Sequence, residues 1–207
     1  MNLPKLYAIV DVEVCARVGW APRDLARAYL SGGARLLQLR AKDLGGAAFL
    51  ALATAIVGDA RESGGQVIIN DRADIAALSG AAGVHVGQDD LSVDDVRRIV
   101  GAEAIVGLST HTHAQVEDAI GLAISYVAIG PVFGTVTKAT GYDAVGLQMV
   151  RNAHALASAR GIPVVAIGGI TLERVKSVWD AGAASAAVIS DLLVDDPAAR
   201  VAQFSSL

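Results

Sequence analysis

One cysteine, Cys15, is all the chain has, so no internal disulfide can staple it, and the composition fits a reducing compartment. Cys15 itself reads as a small buried apolar residue. A basic excess is missing too: 17 Lys and Arg stand against 21 Asp and Glu, a formal net charge of −4. That excludes an overall electrostatic footprint for nucleic acid or an anionic membrane surface, and any anion site must be local. A secretory signal is not expected, because Asp11 and Glu13 interrupt the first apolar segment too early for one. Residues 119–137 carry no charge, yet Gly121, Gly130, Pro131 and Gly134 break that stretch into pieces unfit to span a bilayer. A soluble cytoplasmic protein without nucleic-acid or membrane partners is expected.

What the chain does have is apolar substance. Of its 207 residues, 53% are hydrophobic and only 18% charged, enough for one sizeable core and too short for two ordinary domains. A single domain over residues 1–207 is expected. Short apolar runs recur at residues 6–11, 36–40, 66–70, 83–87, 104–109, 126–130, 163–168 and 186–190. They are mostly continuous, the pattern of strands buried on both faces. Helix-like stretches separate many of them, at 22–30, 47–60, 93–100, 114–122, 147–159 and 172–181. Several strands are entered through small-residue phrases such as SGGARLLQLR, SGAAGVHVG and AGAASAAVIS, where glycine ends a helix cheaply. Eight strands leave about 26 residues per unit, compact but feasible for a (β/α)8 barrel. An open doubly wound sheet is the alternative. It is disfavoured because no GxGxxG phrase follows the first strand.

The polar residues favour the barrel further. Gln38, Arg40 and Lys42, Asn70 and Asp71, Asp89 and Asp90, Ser109, the cluster Thr135, Thr137 and Lys138, Gly168 and Gly169, and Ser190 all fall at or just past strand C-termini. In a barrel those ends form one mouth, where such folds build active sites. Asp71 and Asp90 follow adjacent strands and converge. Two carboxylates can hold a hard cation or divide acid and base work. With no Cys or His cluster at ligand spacing, Mg²⁺ shared with substrate phosphates is more natural than zinc. Taken singly, Asp89 or Asp90 serves as well to cap the next helix, and Asp71 to pair with Arg72. Arg40, Lys42 and Lys138 surround the acids as if to hold a diphosphate, Arg as a fork and Lys as a point charge. For Lys42 a solvated loop charge is the plain alternative. Gly168 and Gly169 end the seventh strand, and Ile189 and Ser190 end the eighth, before a short helix expected at 191–194. Backbone N–H groups in those two loops form the recurrent phosphate site of such barrels.

The four histidines say less. His111 and His113 have HxH spacing without a third ligand nearby, His85 lies in a strand and His154 in a helical pattern. Structural hydrogen bonding is the expectation for each, with His111 best placed to touch a ligand. Trp20 and Trp179 read as packing residues.

The phrases LLQLRAKD, VIINDRADIA, GVHVGQDDL, GLSTHT, GPVFGTVTK and IGGIT, in that order across most of the chain, together resemble the thiamine phosphate synthase family. The resemblance implies a transferase that joins 4-amino-2-methyl-5-pyrimidinylmethyl diphosphate to a thiazole phosphate carboxylate or its tautomer and releases pyrophosphate. It implies two phosphorylated small-molecule partners and Mg²⁺, and leaves a homo-oligomer open. Position by position, it assigns Gln38, Leu39, Arg40, Ala41, Lys42, Asn70, Ser109 and Lys138 to the pyrimidine diphosphate. Lys138, Arg40 and Ser109 are the catalytic candidates, and Asp71 and Asp90 the metal ligands. Thr135, Val136, Thr137, Gly169, Ile189 and Ser190 would hold the thiazole phosphate. The chain departs from the family after Lys138, in ATGYDAVGL, and at Ala187, where some relatives carry a polar residue. A thiazole tautomerase of the same fold, a Schiff-base aldolase using Lys138 and a phosphate-ligand sensor are the rivals.

Overall fold

A computed structural model describes residues 2–134 and 143–207. Eight parallel strands close on themselves in sequence order, the last pairing with the first. They are β1 (Leu6–Asp11), β2 (Leu36–Arg40), β3 (Gln66–Asn70), β4 (Gly83–Val86), β5 (Ile105–Thr110), β6 (Tyr126–Ile129), β7 (Val164–Ile167) and β8 (Ser185–Val188). The closing register sets Ala8 against Val188, which decides for the (β/α)8 barrel over the open sheet.

Among the described residues the helices are α1 (Val12–Arg17), α2 (Pro22–Ser31), α3 (Gly46–Glu62), α4 (Ala73–Ser79), α5 (Val93–Val100), α6 (His113–Ala119), α7 (Gly146–Ser158), α8 (Leu172–Asp180) and α9 (Pro197–Ser205). Their starts follow local chemistry. Asp11, Ser92, Thr112 and Asp196 accept backbone N–H groups with their side chains, and Pro22 and Pro197 occupy first-turn positions where a missing N–H costs nothing. Helices α1 and α4 escape a periodicity search because six and seven residues make too few turns to show an apolar stripe. The eighth strand ends at Val188, and the short helix beyond it is a 3-10 turn at Ser190–Leu192, so Ser190 opens that turn instead of ending the strand.

Two cores explain why the strands read as continuous apolar runs. Outward-facing residues such as Val10, Leu37, Leu39, Ile69, Val84 and Val106 join the helices in one cluster. Inward-facing Tyr7, Ile9, Leu36, Ile68, Tyr126, Ala128, Val165 and Ala187 form a second one inside the barrel. Both strand faces are therefore dry. Trp20 and Trp179 pack against the outer core, as packing residues would.

Candidate active site

Strand parity decides which side chains reach the mouth. On β2, Gln38 and Arg40 line a cavity at the C-terminal ends of the strands, while Leu39 and the following Ala41 are buried in the outer core. Leu39 and Ala41 can offer a ligand backbone groups only. The same cavity, about 620 Å³ including its open top, is lined by Lys42, Asn70, Asp71, Asp90, Ser109 and Ile189 as well. Residues drawn from five separate strand ends thus meet around one bowl.

Its charge balance differs from the expected three cations around two acids, because Asp11 at the end of β1 and Glu13 in the first turn of α1 bring two further carboxylates. Arg40 Nη1 donates to Asp11 Oδ2 at 2.6 Å and lies 3.5 Å from Glu13 Oε2. The other Asp11 oxygen accepts from Val14 N at 3.0 Å and caps α1. Glu13 Oε1 accepts the backbone N–H groups of Lys42 and Asp43 at 2.7 and 3.1 Å, so the first turn of α1 fastens the loop that carries the site's cations. Burial works against the Glu13 carboxylate, but the N–H of Asp43, its own N–H, Asp11 and the N–H of Lys42 together outweigh it and hold its pKa below the ordinary range. Arg40 Nε is buried without a hydrogen-bond partner among the described residues. Asp11 ends a strand just as the expected site residues do, so that positional rule could have found it.

Lys42 is no solvated loop charge: its Nζ lies 2.6 Å from Asp71 Oδ2. Arg72 pairs with Asp74 instead, which removes the alternative partner for Asp71. Asp71 is the one non-glycine residue with positive φ, 62°, among those described, and its N–H donates to His85 O at 2.7 Å. Aspartate tolerates this left-handed conformation better than most residues. Burial pushes the Asp71 carboxyl above the ordinary range; Lys42 opposes that shift and Asp90 adds to it. Asp90 is not a helix cap, since Ser92 caps α5; its Oδ2 accepts from Gly87 N at 2.7 Å. Asp89 is exposed and outside the cavity wall.

Two adjacent carboxylates facing an ammonium group are a donor set suited to a hard divalent cation. Among the described residues no three or more His, Cys, Asp and Glu are grouped so that they could hold a metal ion by themselves. An all-protein metal cage is therefore not what these residues offer. They fit an ion that keeps water and takes ligand phosphate oxygens, as Mg²⁺ does.

The floor of the bowl is a polar chain across the barrel. Gln38 Nε2 donates to the Tyr7 hydroxyl at 3.0 Å, and that hydroxyl lies 3.1 Å from the hydroxyl of Tyr126. His85 Nδ1 lies 2.9 Å from the Tyr126 hydroxyl, and His85 Nε2 lies 2.8 Å from Ser109 Oγ. Gly107 makes room for this: a Cβ there would stand 2.1 Å from Tyr126 Cζ. His85 is hydrogen-bonded, as expected of a strand histidine, but unexpectedly it lines the cavity. His111 is not in that wall; its Nδ1 is 2.6 Å from Gly130 O. Tyr7 and Tyr126 were not singled out by sequence, where an inward tyrosine looks like any other core aromatic.

The loops after β7 and β8 lie beside one another. Leu172 N donates to Asp191 Oδ2 at 3.0 Å, tying the GG loop to the turn at Ser190. Gly169 has φ 62°, and a Cβ on it would stand 2.6 Å from Gly134 O. Gly169 and the exposed Ser190 are outside the cavity wall, whereas Ile189 and Ala187 are in it. Thr135, Val136, Thr137 and Lys138 lie outside the described residues.

The family model described as thiamine monophosphate synthase matches residues 6–192. A thiamine-phosphate synthase of Koribacter versatilis is 43% identical, with 99% of this chain and 95% of that protein covered. One from a Roseiflexus species is 41% identical over 94% of this chain and 80% of its own. Among solved structures, a thiamine phosphate pyrophosphorylase from Pyrococcus furiosus superposes with a TM-score of 0.88 at 27% identity, covering 99% of this chain and 95% of that one. A 3-hexulose-6-phosphate synthase, at 17% identity and a TM-score of 0.64, shares the fold alone.

Proposed function

The chain belongs to the thiamine monophosphate synthase family, and from that premise we propose the reaction and the residues that carry it. As a transferase of this family, it would join 4-amino-2-methyl-5-pyrimidinylmethyl diphosphate to a thiazole phosphate carboxylate or its tautomer and release pyrophosphate and, from the carboxylated thiazole, carbon dioxide. The observation that carries the proposal is the bowl in which Asp71, Asp90, Arg40 and Lys42 meet above Gln38 and Ser109.

Electrostatics supports a metal. Among the described residues, four carboxylates (Asp11, Glu13, Asp71 and Asp90) stand at this mouth against two cations, Arg40 and Lys42. An anionic diphosphate would meet net repulsion there unless a divalent cation came with it. Asp71 and Asp90 would hold Mg²⁺, which when bound supplies Lewis-acid neutralisation of the leaving diphosphate. The Lys42–Asp71 pair is easily exchanged for that arrangement. Its lysine side chain is 46% exposed, and such a pair stabilises a fold by only about 0–1 kcal/mol.

Arg40, oriented by Asp11 and Glu13, and Lys42, released from Asp71, would bind phosphoryl oxygens and stabilise charge as the carbon–oxygen bond breaks. Lys138 would add a third cation. Ser109 and Gln38 would orient the aminopyrimidine, whose own electron donation lets the bond break early. The loops carrying Gly169, Ile189 and Ser190, with Thr135 to Thr137, would hold the thiazole phosphate and bring its nitrogen to the methylene carbon. Such positioning contributes up to roughly 7–11 kcal/mol.

Mixing both substrates with and without Mg²⁺ and measuring pyrophosphate tests this. Release that needs both substrates and the metal is expected. Isomerisation of the thiazole phosphate without pyrophosphate release would overturn the proposal in favour of a tautomerase.

A further inference from the structure

The chain of side chains beneath the bowl has a direction that hydrogen counting can fix. Tyr7 and Tyr126 are 1% and 0% exposed. Burial pushes both phenols well above their ordinary range, so each hydroxyl keeps one hydrogen to give. Gln38 Nε2 can only donate, and it does so to Tyr7. The Tyr7 hydroxyl, 3.1 Å from that of Tyr126, then has its one hydrogen to give along the chain, and with that hydrogen on Tyr126 the Tyr126 hydroxyl gives its own to His85 Nδ1, 2.9 Å away. A neutral imidazole that accepts at Nδ1 carries its hydrogen on Nε2, where it meets Ser109 Oγ.

We infer that this relay runs one way, from the Gln38 amide to the Ser109 hydroxyl, and that Tyr7, Tyr126 and His85 are positioning residues that set the polarity of the pocket floor. Ser109, with its oxygen already accepting from His85, has its hydroxyl hydrogen left for the bowl. Gln38, with one N–H committed to Tyr7, has its amide oxygen and its second N–H left. The floor therefore presents the Ser109 hydroxyl hydrogen beside both the acceptor and the remaining donor of the Gln38 amide, which suits a heterocycle offering a ring nitrogen and an amino group. Turning over the Gln38 amide would reverse every bond in the series and leave Ser109 no hydrogen for a ligand, because the members can only reverse together.

The tautomer of His85 reports the direction. In protein labelled with ¹⁵N at histidine, without substrates, long-range proton–nitrogen spectra should show a proton-bearing Nε2 and a bare Nδ1, the signal being assigned by its loss in His85→Gln. Gln38→Glu replaces the donor with a carboxylate acceptor. At about pH 9, where a carboxylate is ionised, it should reverse the series and move the His85 hydrogen to Nδ1, although Gln38 and His85 are joined only through two tyrosines. A proton on Nδ1 or on both nitrogens in the unaltered protein would overturn the inference, as would an unchanged tautomer in Gln38→Glu with an intact circular dichroism spectrum. The kinetic consequence rests on the proposed transferase activity and is read separately. Tyr126→Phe should lower kcat about tenfold, the scale of one lost hydrogen bond, with KM for the thiazole phosphate unchanged. An unchanged kcat would remove the positioning role, whatever the spectra show.

Discussion

Lys42 Nζ sits 2.6 Å from Asp71 Oδ2, joining the loop after β2 to the residue that follows β3. The carboxylate is under strain from two sources that the pair does not cancel. Burial and Asp90 raise its pKa despite Lys42, and its backbone is left-handed. The folded protein therefore holds the Asp71 proton more tightly than the unfolded chain does, and stability falls as pH rises from the ordinary carboxylate range through the raised value. At neutral pH the ionised group is a net cost to the fold. Asp71→Asn, which removes the charge and tolerates positive φ, should raise Tm at pH 7. That gain should fade in acid, where the native carboxyl is protonated. A lower Tm at neutral pH would contradict this account.

The same substitution should weaken metal binding. Asp71→Asn and Asp90→Asn should each raise the Mg²⁺ concentration for half-maximal pyrophosphate release by about tenfold or more, the scale on which altered metal environments act. Titration with Mn²⁺ followed by electron paramagnetic resonance reads binding apart from turnover. An unaltered titration for either variant takes that residue out of the ligand set.

Glu13 should act through Arg40 and the loop at Lys42. Its pKa is held below the ordinary range, so the stability it contributes is complete at neutral pH and is lost as pH falls through that depressed value. Glu13→Gln should lower kcat for the two-substrate reaction about tenfold and flatten the acid limb of the stability curve measured by thermal unfolding. If Arg40 and the loop need no fastening, kinetics will match the parent protein.

Gly169 is needed for backbone shape. Gly169→Ala would hold alanine at φ 62° with its Cβ 2.6 Å from Gly134 O. The left-handed penalty alone is about 1–2 kcal/mol, and the carbonyl must also move. KM for the thiazole phosphate should rise by about tenfold or more, with a lower Tm. Calorimetric binding of the thiazole phosphate checks the first expectation directly; unchanged affinity would detach this loop from phosphate binding.

Lys138→Ala should lower turnover far more than it weakens thiazole binding, because its role is toward the departing diphosphate. Steady-state kinetics with each substrate varied separates the two effects. Equal losses would argue against that role.

Much of this was legible in one dimension. The eight apolar runs marked the strands because the barrel buries both of their faces, and the rule that polar residues gather at strand C-termini located Gln38, Arg40, Lys42, Asn70, Asp71, Asp90 and Ser109. Glycines at required positive φ, such as Gly80 closing α4, also announced themselves. What sequence did not show was pairing. Asp11 and Glu13 are 29 and 27 residues from Arg40, and nothing local says that the first helix turn neutralises it.

The order of apolar and polar residues by itself determined the strands and helices, and with them the sidedness of the mouth, because burial of alternating faces is a property of local periodicity. Only closure of the barrel decided which charges are matched, why Asp71 is raised and how His85 connects two tyrosines to Ser109. Those properties come from low-dielectric contacts a few ångströms long between residues far apart in the chain, and the chain order does not encode those distances.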